Sequence, residues 1–197
     1  MLEAAELDCE RGGRALFRKL SVSVRGGELL RIAGANGSGK TSLLRILCGL
    51  LTPAAGEVRW QGSSIKSLKE EYSRQLVYLG HAPAVKDELT AAENLHVTCT
   101  LAGIHGTVGD ALDRFGIPAD KPVKQLSQGQ RRRAALARLV LSERVPLWLL
   151  DEPFTALDSA AADVTRNLIR NQIGRGGAIV YTTHQDAGLS DSRVVEL

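Results

Sequence analysis

The sequence predicts an α/β fold with a mostly parallel sheet and a block of helices inserted between two of its strands. Short apolar runs alternate with helical patterns along the chain, the arrangement that builds βαβ units. A glycine-rich segment at 34–41 joins one such run to an apolar helix. The stretch from about 85 to 143 holds several helical patterns and no strand.

Residues 16–25 alternate as a strand does, with Leu20, Val22 and Val24 on one side and Ser21, Ser23 and Arg25 on the other, before a Gly26-Gly27 turn. Residues 29–33 form a short, mostly apolar run of the kind buried on both faces. A helix over 41–51 has apolar residues at 43, 44, 46, 47, 50 and 51 and stops before Pro53. Residues 77–79, 147–150 and 178–181 read as further strands, and Val194-Val195-Glu196-Leu197 is strand-like. Helical patterns cover 91–102, 108–115, 129–142 and 160–173. With 197 residues the chain makes one domain, its sheet core at about 1–84 and 144–197 and its helical subdomain at about 85–143.

Hydrophobic residues make up 44% of the chain and charged residues 24%, which excludes disorder. The longest apolar stretches, such as 43–51, are too short and interrupted to span a bilayer. A net charge of +3, with basic and acidic residues interleaved, argues against a nucleic-acid partner. The dense run Arg131-Arg132-Arg133 reads as a solvated helix face, because successive helical residues point to different sides. Cys9, Cys48 and Cys99 are too far apart for a metal motif and fit a reducing compartment. The acidic N-terminal residues lack an apolar signal core, so the expected location is the cytoplasm.

Gly34-Ala35-Asn36-Gly37-Ser38-Gly39-Lys40-Thr41 fits the phosphate-loop pattern at every fixed position. Glycines let the backbone wrap phosphate with its N–H groups turned inward, and the next helix offers its positive end to the same anion. Lys40 would reach the terminal phosphates and the Thr41 hydroxyl would bind Mg²⁺. The run 147–150 ends in Asp151 and Glu152. It brings Asp151 to the C-terminal edge of the sheet, where α/β proteins bind ligands. There Asp151 would hold Mg²⁺, partly through water. Glu152, the next residue along, points elsewhere and is placed to polarise an attacking water.

Leu126-Ser127-Gln128-Gly129-Gln130 is a Ser/Gly anion cradle with Ser127 as cap of the helix beginning near Gly129. It resembles the signature of the ATP-binding-cassette (ABC) ATPases. Ala156-Leu157-Asp158 is similar to that family's D-loop, and His184 to its switch histidine. The resemblance runs from about residue 2 to 197. It implies a P-loop NTPase of ABC type with a RecA-like core, an antiparallel β edge and a helical signature subdomain. It also implies ATP and Mg²⁺ as ligands. Two copies would pair on ATP, so that the loop at 34–41 of one faces Ser127 and Gly129 of the other, with Asp158 at the same junction. Two positions depart from the family. Gly80-His81 stands where the Q-loop glutamine is expected, leaving His81 to relay metal, water and membrane subunit. Arg11 falls where an adenine-stacking aromatic is usual, and a guanidinium can stack on a base. Phe17, the nearby aromatic, reads as core packing.

Glu-Leu-Thr-Ala-Ala-Glu-Asn-Leu at 88–95, Leu-Asp-Glu-Pro-Phe-Thr-Ala at 150–156 and Thr-Thr-His-Gln at 182–185, together with His81, resemble the haem-exporter branch that serves cytochrome c maturation. That branch implies a peripheral subunit on the cytoplasmic face of the inner membrane. Its membrane partners are CcmB, CcmC and CcmD, and ATP hydrolysis there releases the haem chaperone CcmE. Residues 88–95 would line the groove for a membrane subunit. An exporter subunit for another small molecule, lipid or peptide is the alternative.

Overall fold

The computed structural model describes residues 1–184 and 187–197. From the N-terminus the elements are β1 (Leu2–Arg11), β2 (Arg14–Val24), β3 (Leu29–Ala33), α1 (Lys40–Leu47), β4 (Ala55–Trp60), β5 (Ser63–Ser64), α2 (Ile65–Leu68), α3 (Glu70–Arg74), β6 (Leu76–Leu79), α4 (Ala91–Leu101), α5 (Val108–Asp113), α6 (Gln128–Leu136), α7 (Arg138–Leu141), β7 (Leu147–Asp151), α8 (Ser159–Gly174), β8 (Ala178–Thr182) and β9 (Arg193–Glu196). The fold is the expected mixed α/β arrangement. Five parallel strands lie in the order β6-β7-β8-β3-β9. The antiparallel strands form a sheet of their own, in the order β2-β1-β4-β5.

The parallel sheet is buried on both faces because its central strands β7 and β8 are apolar up to their last residues, Asp151 and Thr182. In β7, Trp148 and Leu150 join one core with Ile179, Tyr181, α8 and the helices from α4 to α7. Leu147 and Leu149 join a second core with α1 and the antiparallel sheet. All five residues of β7 and of β8 are buried. Phe17 packs against the second core, as its sequence context suggested.

Several boundaries differ from expectation. Strand β1 is not legible as an alternating run because its phase slips: Leu2 and Ala4 are buried, then Leu7 and Cys9. The register breaks between Ala4 and Leu7, where Glu6 takes a φ of 47°. The helix expected over 41–51 ends at Leu47. Gly49 adopts a φ of 80°, and the N–H groups of Leu50 and Leu51 both fold back onto the Arg45 carbonyl at 2.8 and 3.0 Å. Leu50, counted in the buried face, is consequently 69% exposed. The pattern at 129–142 is two helices, α6 and α7, meeting at Ala137. Cys9 and Cys99 are buried, Cys48 is half-buried, and all three are free. Burial pushes the Cys48 thiol up to about 11. Among the described residues no helix is long and apolar enough to cross a membrane.

Leu149 lies at the centre of the parallel sheet and is fully buried. Leu149→Ala is expected to lower unfolding free energy by about 2–5 kcal/mol, read as a lower denaturation midpoint in urea at unchanged slope.

Candidate active site

The site is assembled where the parallel strands end. Strand β3 runs into the loop at 34–39, and α1 begins at Lys40. Two glycines of that loop are required by its shape. Gly34 has a φ of 137°, and a Cβ there would fall 2.7 Å from Ser38 Oγ. Gly39 has a φ of 111°, and a Cβ there would come within 3.1 Å of Leu16 and the Phe17 ring. Lys40 is buried at 8% exposure, and its Nζ donates to the carbonyls of Gly34 at 2.8 Å and Ala35 at 2.9 Å. An ammonium has three donors, so one is left over. The loop borders a cavity of about 640 Å³, onto which Asn36, Gly37, Gly39, Lys40 and Thr41 open.

From β7 the same cavity receives Asp151 and Glu152, and from the end of β8 it receives His184. Consecutive strand residues normally face opposite ways. The expectation that Glu152 points away from Asp151 is therefore corrected: both line one cavity, because Glu152 is in the left-handed region with a φ of 53°. Such a backbone costs about 1–3 kcal/mol for a non-glycine residue and persists only where its surroundings hold it. Thr182 supplies part of that hold. Its hydroxyl accepts from the Glu152 N–H at 2.9 Å and donates to Asp151 Oδ1 at 2.8 Å. Asp151 Oδ2 is buried without a hydrogen-bond partner. Glu152 Oε2 accepts from the His184 N–H at 3.3 Å. Glu152 Oε1 lies 3.3 Å from His184 Nε2, within ion-pair distance but without hydrogen-bond geometry.

The remaining hold comes from Arg132, and here the sequence reading was wrong. The run Arg131–Arg133 is not a solvated face. Arg132 is only 5% exposed, and its guanidinium donates to Gly80 O at 2.7 Å, His81 O at 3.2 Å, Asp151 O at 2.8 Å and Glu152 O at 2.8 Å. Burial lowers its pKa from the ordinary arginine range, and the negative charges of Asp151 and Glu152 oppose that shift. Arg131 pairs with Asp87 at 2.7 Å and Arg133 with Asp158 at 3.5 Å. No sequence signal separates Arg132 from its neighbours. Its role depends on strand ends 52 and 19 positions away along the chain.

His81 and Arg11 also line the cavity, with Leu16, Ser42 and Thr155, which the sequence reading did not single out. Ser127, Gly129 and Asp158 do not line it. Ser127 caps α6 as expected: its Oγ accepts from Gln130 N at 3.2 Å while Gln130 Oε1 accepts from Ser127 N at 2.9 Å. Gly129 packs so closely that an added Cβ would meet the Ala156 carbonyl at 3.0 Å. Asp158 caps α8, accepting from Ala161 N at 2.8 Å. The signature and D-loop segments thus lie against each other. Gln185 of the 182–185 motif lies outside the described residues.

A phosphate loop and two carboxylates at the C-terminal edge of a parallel sheet define a nucleotide-binding cassette. The family model for ABC transporters matches residues 17–155, and the chain belongs to that family, whose cassettes bind and hydrolyse ATP. Over 192 residues it is 54% identical to the "Cytochrome c biogenesis ATP-binding export protein CcmA" of Aromatoleum aromaticum, covering 95% of this chain and 90% of the relative. It superposes on a solved ATP-binding subunit of an ABC transporter with a TM-score of 0.90 at 25% identity, covering 100% of this chain and 85% of that one. A dimeric post-hydrolysis state of the ATP-binding cassette MJ0796 bound to ADP and Pi has the same fold, with a TM-score of 0.86 at 23% identity over 100% of this chain and 94% of that one.

Arg132→Met removes the donor for all four carbonyls. It is expected to destabilise the chain by about 3 kcal/mol or more in urea denaturation. Arg132→Lys, which retains the charge but not the fork, is expected to cut ATP turnover by about tenfold, measured as phosphate release at saturating ATP.

Proposed function

We propose that this chain is the ATP-hydrolysing subunit of a haem exporter serving cytochrome c biogenesis, bound peripherally at the cytoplasmic face of the inner membrane. One observation carries the reading. The phosphate loop, Asp151, Glu152 and His184 converge on a single cavity, in a chain 54% identical to a cytochrome c biogenesis export protein.

In this reading the backbone N–H groups of 34–39 and the N-terminus of α1 bind the phosphates, and Lys40 turns its ammonium onto them. Glu152 is the general base. Its Oε1 is buried and accepts no hydrogen bond, which leaves that oxygen open to take a proton. As the water oxygen bonds to the γ-phosphorus, its proton passes to Glu152 and the bond to the β-phosphate oxygen breaks, giving ADP and phosphate. His184, beside the same carboxylate, donates toward the developing negative charge. His81 positions the water from the neighbouring strand end, and Arg11 stacks on the base. Mg²⁺ fits Asp151 and Thr41, since a buried carboxylate oxygen without a partner is the donor a hard cation takes. Among the described residues no cluster of three His, Cys, Asp or Glu could hold a metal, and Asp151 and Thr41 are the side chains that would hold Mg²⁺ here. When bound, Mg²⁺ neutralises charge on the β- and γ-phosphates.

Ser127, Gly129 and Asp158 lie outside the cavity, which supports a second copy that brings its signature segment to the nucleotide. The ATP-bound pair closes and the ADP-bound pair opens, working membrane subunits of the CcmB, CcmC and CcmD kind and releasing CcmE.

Glu152→Gln is expected to reduce phosphate release by about a hundredfold or more while ATP still drives pairing in size-exclusion chromatography. Undiminished turnover would remove Glu152 from the mechanism. Lys40→Ala is expected to abolish turnover. The cargo is tested by copurification: recovery with membrane subunits of cytochrome c assembly supports the haem reading, and recovery with an unrelated exporter replaces it.

A further inference from the structure

Thr182 ends β8, is fully buried, and stands opposite Asp151 in the parallel pairing of β7 with β8. A hydroxyl has one proton to give. The backbone N–H of Glu152 can only donate, so at 2.9 Å it takes a lone pair of the Thr182 oxygen. The hydroxyl proton is left for Asp151 Oδ1, 2.8 Å away. Partners on both sides therefore fix the direction of this hydroxyl, and the β-branched side chain restricts its χ1 as well. The main chain at this point is already held, because Arg132 donates to the carbonyls of Asp151 and Glu152 at 2.8 Å each. What the hydroxyl adds is control over the rotation of the Asp151 carboxylate.

That control leaves the two carboxylate oxygens unequal. Oδ1 holds the Thr182 proton, whereas Oδ2 is buried and has no partner. An oxygen already bonded to a proton is the poorer donor to a cation, so Asp151 offers a metal one oxygen rather than two. Divalent cations respond differently to such a ligand. Mg²⁺ demands near-ideal octahedral geometry, which a chelating carboxylate distorts, while the larger Ca²⁺ has flexible geometry and readily takes both oxygens of one carboxylate. Thr41, the other side chain suited to the cation, borders the same cavity as Asp151.

We propose that Thr182 is a positioning residue that sets the metal preference of the site: its hydroxyl holds Asp151 as a one-oxygen ligand and so favours Mg²⁺ over Ca²⁺ beside the nucleotide. The inference rests on the reading of Asp151 as a Mg²⁺ ligand and adds the group that makes that ligand selective. Removing a group that orients a metal's ligand lowers metal affinity by about tenfold to a hundredfold.

The test titrates Mn²⁺, a paramagnetic substitute for Mg²⁺, into the purified full-length chain with a non-hydrolysable ATP analogue. Bound metal is followed by electron paramagnetic resonance, Ca²⁺ is then added as competitor, and the analogue without the chain gives the background. Thr182→Val keeps the shape of the side chain and removes the hydroxyl. It is expected to weaken Mn²⁺ binding about tenfold and to lower the preference for Mn²⁺ over Ca²⁺ about fivefold, whereas Thr182→Ser keeps both within about twofold. A threonine that only supports the fold would leave that preference where it is. Binding and preference unchanged in Thr182→Val overturn the proposal. So does weakening of both metals by the same factor, which assigns the hydroxyl to the Glu152 turn alone. Asp151→Asn tests the underlying reading separately. Loss of Mn²⁺ binding in that variant upholds Asp151 as the ligand whatever Thr182→Val does, and undiminished binding overturns both that reading and the proposal. Should Thr182→Val lose its cooperative urea transition, Thr182→Ala takes its place, and a Mn²⁺-over-Ca²⁺ preference equal to that of the unsubstituted chain overturns the proposal.

Discussion

One guanidinium holds the working end of this molecule together. Arg132 is fixed in α6 by the helix it belongs to, and it donates to carbonyls at the ends of β6 and β7. Parallel strands end with carbonyls that have no next strand residue to satisfy them, and at a buried sheet edge those groups need donors. A planar cation with five N–H groups can serve two strand ends at once, which an ammonium cannot do with the same geometry. The helix bearing the signature motif is thereby tied to the backbone that carries His81, Asp151 and Glu152.

The second constraint is the strained turn after β7. Glu152 occupies a left-handed conformation that a strand would not choose, and Thr182 and Arg132 hold it from two sides. The result is two carboxylates in one cavity with different surroundings. Asp151 has one oxygen taken by the Thr182 hydroxyl and one unpartnered, whereas Glu152 faces His184. In the proposed mechanism these different surroundings set two carboxylates to different tasks, one toward a cation and one toward a proton.

The two anion cradles are separated in space. The loop at 34–39 opens on the cavity, while Ser127 and Gly129 lie against the D-loop carbonyl of Ala156. Arg132, on the helix that Ser127 caps, is hydrogen-bonded to the strand ends that carry the site, so the two segments are connected through one side chain.

Local pattern was enough to predict the alternation of strands and helices, the phosphate loop, the carboxylates after β7 and the cap at Ser127. Each of these depends on residues within a few positions of one another. Glycines at required φ values, a serine three residues before its backbone donor and an apolar run ending in Asp-Glu are all readable from neighbours. What the linear pattern could not contain was decided by distant partners. The phase slip in β1 comes from bulges against β2 and β4. The inward turn of Glu152 depends on a threonine 30 residues later. Of three consecutive arginines, identical as letters, one is buried against strand ends, and two reach acids across the fold. Hydrogen-bond donors become specific only when packing brings their acceptors within 3 Å, and packing is a property of the whole chain.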